Sequence, residues 1–242
     1  MRPDELKGIF SKMEVVDLTQ SFYKENPTPY SWDLLWDNRD EGGPFNGSLS
    51  FIEHSGTHID APLHFFKDAP TLDELPLETF YAPISVIDVR EKTSIEADYQ
   101  VSTEDIINWE EDHGKLQSDT FAAFWTGWER LWRDKKAFLG LDDEGHYHHP
   151  GLSVDAALML SEKRGVKGVG IDCYGVDTGA SVSANRFSTH HVLLSRGKYI
   201  IEVLNNLSRL PPKGAFCFVL PLKFHKGTGS PARAIAFIKQ DP

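Results

Sequence analysis

Short apolar runs recur along the chain: SLSFIE (48–53), ISVIDV (84–89), TFAAFW (120–125), VKGVGI (166–171), YIIEVL (199–204), AFCFVL (215–220) and AIAFIK (234–239). They are rich in Val, Ile and Phe, which favour strands. Several are nearly continuous in apolar character, the pattern of a sheet covered on both faces.

Helical stretches lie between some of these runs. Ser102 is placed to cap STEDIINWEED, with Asp105 in the third position after it, where a carboxylate suits a helix N-terminus. Ser153 is placed to cap VDAALMLSEKR, with Gly165 as the stop. STHHVLLSRG predicts a short helix from about Ser188 to Gly197. Helices and strands alternate in the second half, and the first half is richer in strands. The pattern predicts one mixed-sheet α/β domain over 1–242. A segment over about 18–46 interrupts it. It holds Pro27, Pro29, Gly42, Gly43 and Pro44 beside Tyr30, Trp32 and Trp36. It reads as a long irregular arm, lining a pocket or a subunit interface.

Composition narrows the partners. With 242 residues, 40% of them apolar, there is material for one sizeable core. A formal charge of −11 argues against nucleic acid and against anionic membranes. The N-terminal MRPDELKGIFSKMEVVD mixes acids and bases and lacks a signal-peptide core. No run approaches the roughly 20 apolar residues of a membrane span. Cys173 and Cys217 both sit in apolar stretches and read as reduced core residues. The expectation is a cytoplasmic protein acting on a small molecule.

The chemistry concentrates in His54-Ser-Gly-Thr-His58-Ile-Asp60-Ala-Pro-Leu-His64. Imidazole and carboxylate are the ligand set for Zn²⁺, Mn²⁺ or Fe²⁺. A straight strand would put the His54 and His58 backbones about 13 Å apart, too far for metal bonds of about 2 Å. Gly56 and Pro62 fit a helix interior poorly. The remaining solution is a strand that ends near His54 and folds back at Ser55-Gly56-Thr57. Elsewhere, Glu202 is an acid inside YIIEVL, and a carboxylate there needs a cation or a full set of hydrogen bonds. His146-Tyr-His148-His149 reads as a pocket-lining or surface loop, and GTGSPAR (227–233) as a turn before the last strand. Asp172 and Asp177 are candidates for orienting metal-bound imidazoles.

HSGTHIDAPLHF resembles the HxGTHxDxPxHF signature of the cyclase-like metal-dependent hydrolases, which include bacterial kynurenine formamidases and isatin hydrolases. The resemblance continues in order through WTGW (125–128), HPGLS (149–153), GVGIDCYGVD (168–177), the His190 to Glu202 segment, NNLSRLP (205–211) and PLKFHKGTGSPARAIA (221–236). It implies a single mixed-sheet domain of the cyclase/kynurenine formamidase type, swivelling β/α/β-like. It implies that His54, His58 and Asp60 bind a metal and that His64 is the general acid/base. A second metal would share Asp60 with His190 and Glu202, with His191 as the neighbouring register. The implied cofactor is Zn²⁺ or Mn²⁺, one or two per subunit, and the implied assembly a homodimer or homotetramer with the arm crossing between subunits.

The implied reaction is cleavage of an amide bond in a small aryl formamide or cyclic amide by metal-activated water, as in arylformamidases of tryptophan catabolism or in isatin hydrolases. Tyr30 or Trp32 would stack the aryl ring. The arm NPTPYSWD departs from the formamidase pattern, and extra sequence around 30–45 and 90–120 brings the chain nearer the isatin hydrolases. The alternatives are a metal-binding protein without turnover, a cyclase or dehydratase, and a lactone hydrolase.

Overall fold

The computed structural model describes residues 2–23, 27, 28 and 30–240, without the side chains of Leu6 and Trp32. Its strands are β1 (Met13–Asp17), β2 (Tyr30–Asp37), β3 (Phe45–Phe51), β4 (His58–Asp60), β5 (Tyr81–Asp88), β6 (Gln100–Val101), β7 (Phe121–Trp125), β8 (Gly151–Leu152), β9 (Gly168–Ile171), β10 (Tyr199–Glu202), β11 (Ala215–Pro221) and β12 (Gly229–Lys239). Eight of them form one mixed sheet in the order β1-β12-β11-β5-β7-β9-β10-β4, and β4 also pairs with β12. The sheet therefore closes into a ring, with the three-residue β4 as the closing piece. β5, β7, β9 and β10 run parallel, and the pairings of β4, β11 and β12 are antiparallel.

Period-two alternation divides the core. On β7, Phe121 and Ala123 point into the ring with Ile84, Val86, Cys217 and Ala234. Ala122 and Phe124 point outward beneath the helices, with Ile87, Val169 and Ile200. Both faces of the parallel strands are buried, which is why those runs are continuously apolar. Cys173 and Cys217 are free and buried.

Helices cover the outer face. Thr103–His113 is capped by Ser102, which accepts from the Asp105 N–H while the Asp105 carboxylate returns a bond to Ser102. Ser153 caps Val154–Leu158, which continues through a π-helical segment, Met159–Arg164, to Gly165. The third helix spans Ser188–Ser195. No helix among the described residues is long and apolar enough to cross a membrane.

The expectation of an irregular arm is corrected. β2 and β3 form an antiparallel hairpin from Tyr30↔Phe51 to Asp37↔Phe45, with a bulge between Leu34 and Trp36. Its apolar side chains Leu34, Leu35, Trp36, Phe45 and Leu49 are exposed. The side chain of Trp32 lies outside the described residues.

Candidate metal centre

Gly56 makes the turn ahead of β4. Its φ is 61°, and a Cβ there would stand 2.7 Å from the Phe22 ring, so both backbone and space call for glycine. The turn brings the His54 and His58 rings to 5.3 Å, edge to face. His58 Nδ1 pairs with the Gly56 carbonyl at 2.8 Å, which turns Nε2 toward Asp60 Oδ1 at 3.3 Å. His54 Nδ1 is 2.6 Å from the same oxygen.

Register supplies the other half. β10 lies antiparallel to β4 with Glu202 opposite His58, and Glu202 Oε2 is 3.5 Å from His58 Nε2. The chain then turns sharply at Val203, whose φ is 59°. That conformation is strained for a β-branched residue. Glu202 Oε1 accepts from the Val176 N–H and is 3.1 Å from His190 Nε2. His190 sits in the first turn of its helix, held by Asp177, whose carboxylate accepts from the Thr189 and His190 N–H groups and pairs with His190 Nδ1 at 2.6 Å. His191 is exposed and packs against Phe65 and Phe66 instead.

Two sets of three groups thus converge, His54 with His58 and Asp60, and Asp60 with His190 and Glu202, each with its atoms within 4.8 Å. Asp60 belongs to both. Its Oδ2 is buried without a hydrogen-bond partner, since His190 Nε2 is 3.6 Å away. Ligand atoms about 2 Å from an ion at tetrahedral angles stand about 3.3 Å apart. Four of the spacings, from 3.1 to 3.6 Å, cluster around that value. The orphaned oxygen and the N/O donor set fit a divalent cation.

The electrostatics agree. Burial pushes the His58 imidazole down, but Asp60 and the charge of Glu202 outweigh it, and its pKa rises to about 9. Burial opposes His190 too, yet Asp177 and Glu202 raise it to about 10. Burial would raise Asp60, but His54 and His58 hold it well below the usual carboxylate range. The cavity attracts positive charge. His64 behaves differently. Its ring stacks on His54 at 3.8 Å and makes no side-chain hydrogen bond among the described residues. Burial, helped by His54 and His190 against Asp60, lowers its pKa to about 4.

Other candidates fall elsewhere. Tyr30 packs on Phe22, the ring that covers Gly56. His146 and His148 are tied to Asp142 and Asp98. His149 is buried with Nδ1 on the Pro150 carbonyl. Asp172 holds Thr126 rather than an imidazole. It forms a second acidic cluster with the half-buried Glu129, whose carboxylate accepts from the Leu207 N–H. Burial raises both pKa values, Glu129 to about 7 with help from the Asp172 charge.

The fold recurs in known proteins. Residues 16–178 match the Cyclase family model, described as "Putative cyclase", and the chain belongs to that family. An isatin hydrolase of Roseibium aggregatum is 35% identical over 207 residues, 82% of this chain and 78% of its own. A kynurenine formamidase of Bacillus cereus is 30% identical over 211 residues, 86% of this chain and 87% of its own. A crystal structure of an isatin hydrolase bound to the product analogue thioisatinate superposes with a TM-score of 0.91 at 30% identity, covering 99% of this chain and 100% of that one.

Proposed function

We propose that the chain hydrolyses the amide bond of a small aryl cyclic amide of the isatin type, with aryl formamides such as N-formylkynurenine as second choice. The observation that carries the metal-dependent reading is the buried, unpartnered Asp60 Oδ2 at the meeting point of three imidazoles and Glu202. His54, His58 and Asp60 would hold one Zn²⁺ or Mn²⁺, and Asp60, His190 and Glu202 a second. When bound, a divalent ion activates water and polarises a carbonyl oxygen.

The chain's own residues do the rest. A pKa of about 4 leaves the His64 imidazole neutral near pH 7, free to accept a proton. Its position on the His54 ring puts that base at the edge of the cluster, where it can return the proton to the leaving nitrogen. Asp177 keeps His190 oriented. Phe65 and Phe187, with centroids 5.6 Å apart beside His190, offer an aromatic wall for an aryl substrate, and Tyr30 is a further contact. The 35% identity to an isatin hydrolase favours the lactam.

Metal analysis of the purified protein, with parallel assays on isatin and N-formylkynurenine, tests this. Bound Mn²⁺ or Zn²⁺ and faster turnover of isatin are expected. Metal content with no cleavage of either amide would leave a metal-binding protein instead. The exposed apolar side chains of the β2–β3 hairpin support self-association as a homodimer or homotetramer, which sedimentation of the hairpin variant Leu49→Lys would test.

A further inference from the structure

The segment Gly227–Gly229 reads from sequence as a turn, yet its Thr228 lies against the metal centre. Thr228 Oγ1 is 3.0 Å from His54 Nε2 and donates to Glu53 Oε2 at 2.6 Å. The Thr228 N–H points at the same carboxylate, 3.3 and 3.4 Å from its two oxygens. Gly229 makes the approach feasible. A Cβ there would stand 2.5 Å from His54 Cε1 and 2.7 Å from the Ile59 carbonyl oxygen. The His54 ring therefore rests directly on the backbone that opens β12.

The hydrogens of this chain of contacts can be counted. A threonine hydroxyl has one hydrogen, and a carboxylate has none to give. The Thr228 hydrogen goes to Glu53, so its oxygen accepts from His54. That places the hydrogen of the neutral ring on Nε2 and leaves Nδ1 as a lone pair, 2.6 Å from Asp60 Oδ1. Two acceptors this close need a positive charge between them, which is a proton where the ring is charged and donates to Asp60, and a bound ion where the ring is neutral. His58 and His190 are arranged the other way round, with Nδ1 engaged by Gly56 and Asp177 and Nε2 turned inward. Of the three imidazoles, His54 alone presents Nδ1 and needs a partner on its Nε2 side.

We infer that Glu53 and Thr228 are positioning residues that hold His54 as its Nε2–H tautomer and turn the Nδ1 lone pair onto the ion, with Gly229 giving the space. This rests on the metal-centre reading and deepens it. Removing such an outer partner weakens metal binding by about 10–100-fold. Thr228→Val keeps the shape and loses the hydroxyl, Thr228→Ser keeps the hydroxyl, and Glu53→Gln keeps an acceptor but not the charge.

The measurements are the Mn²⁺ and Zn²⁺ dissociation constants by chelator competition, and the ¹⁵N–¹H spectrum of ¹⁵N-histidine-labelled, zinc-loaded protein, with His54 assigned by His54→Gln. Expected are zinc on Nδ1 and hydrogen on Nε2 of His54, a dissociation constant raised about 10–100-fold in Thr228→Val, recovery to within about threefold in Thr228→Ser, and an intermediate loss in Glu53→Gln. A Thr228→Val variant that melts lower yet binds metal as the wild type does would mark a purely structural hydroxyl and overturn the inference. So would His54 coordinated through Nε2. A wild type that takes up neither metal overturns the metal-centre reading itself, whereas uptake by the wild type with an unchanged Thr228→Val overturns this inference alone.

Discussion

Two of the places where the molecule buries carboxylates give opposite results. Asp60 and Glu202 are 1% and 5% exposed and meet three imidazoles at 2.6–3.6 Å. Asp172 is fully buried beside Glu129, and among the described residues neither forms an ion pair. The Arg90 guanidinium, which feels the charge of both, stacks on Trp125 and pairs with Asp88 instead. The first cluster holds Asp60 ionised, and the second drives both acids toward their protonated forms. Burial alone turns a carboxylate into a holder of protons. Imidazoles with their far nitrogens already engaged turn it into a seat for a cation.

That contrast can be broken most severely at Asp60. Asp60→Asn removes the oxygen common to both triads, and kcat/KM is expected to fall by at least about 10³-fold together with metal content. Metal content equal to the wild type would erase the distinction between the clusters. His64→Ala sharpens it from within. Turnover should drop by about 10²–10⁴-fold while bound metal, measured in the same preparation, stays constant. Chelation comes next. At 100 times the dissociation constant an ion adds about 2.7 kcal/mol to folding, so stripping it should lower Tm by about 5–10 °C in a chain of this size. Calorimetry with and without chelator reads this, and a Tm that does not move would argue against a bound ion.

The smallest effect belongs to the other cluster. Glu129 has a pKa of about 7 in the folded protein against an ordinary 4.5. The folded state thus keeps a proton that the unfolded state releases. The associated stability is complete below about pH 4.5 and is lost as pH rises through about 7. Glu129→Gln, permanently neutral, should therefore be more stable than the wild type at pH 8.5 by about 1–2 kcal/mol after allowance for partial exposure, and converge with it near pH 4.5. Urea denaturation at the two pH values measures it. A gap that does not depend on pH would show that Glu129 is not the group being titrated.

The first triad was legible because its three residues flank a single turn, and glycine at 56 left few ways to fold it. The second was not derivable from local pattern. Glu202 faces His58 only because β10 pairs with β4 in one register, and a slip of one residue would send the acid to the other face. There the family resemblance supplied what periodicity lacked. The hairpin escaped the sequence reading for a different reason. Tyr30-Ser-Trp-Asp-Leu34 alternates as a strand should, but the bulge at Leu35 breaks the period, and a ribbon exposed on both faces has no core to restore it. Glu53 and Thr228 carry no signal of their own. They matter through a contact between residues 174 positions apart, His54 and Thr228.

β4 has one further consequence. Three residues join β10 to β12 and so complete the ring, and two of the three, His58 and Asp60, are proposed ligands. The seam of the barrel and the seat of the ion are one piece of chain. An ion bound there works as a clasp, and its loss would be felt along the seam before anywhere else. The amide hydrogens of Ile59, Ala61 and Ala232 should then exchange with solvent sooner than those of β5 and β7 on the far side of the ring.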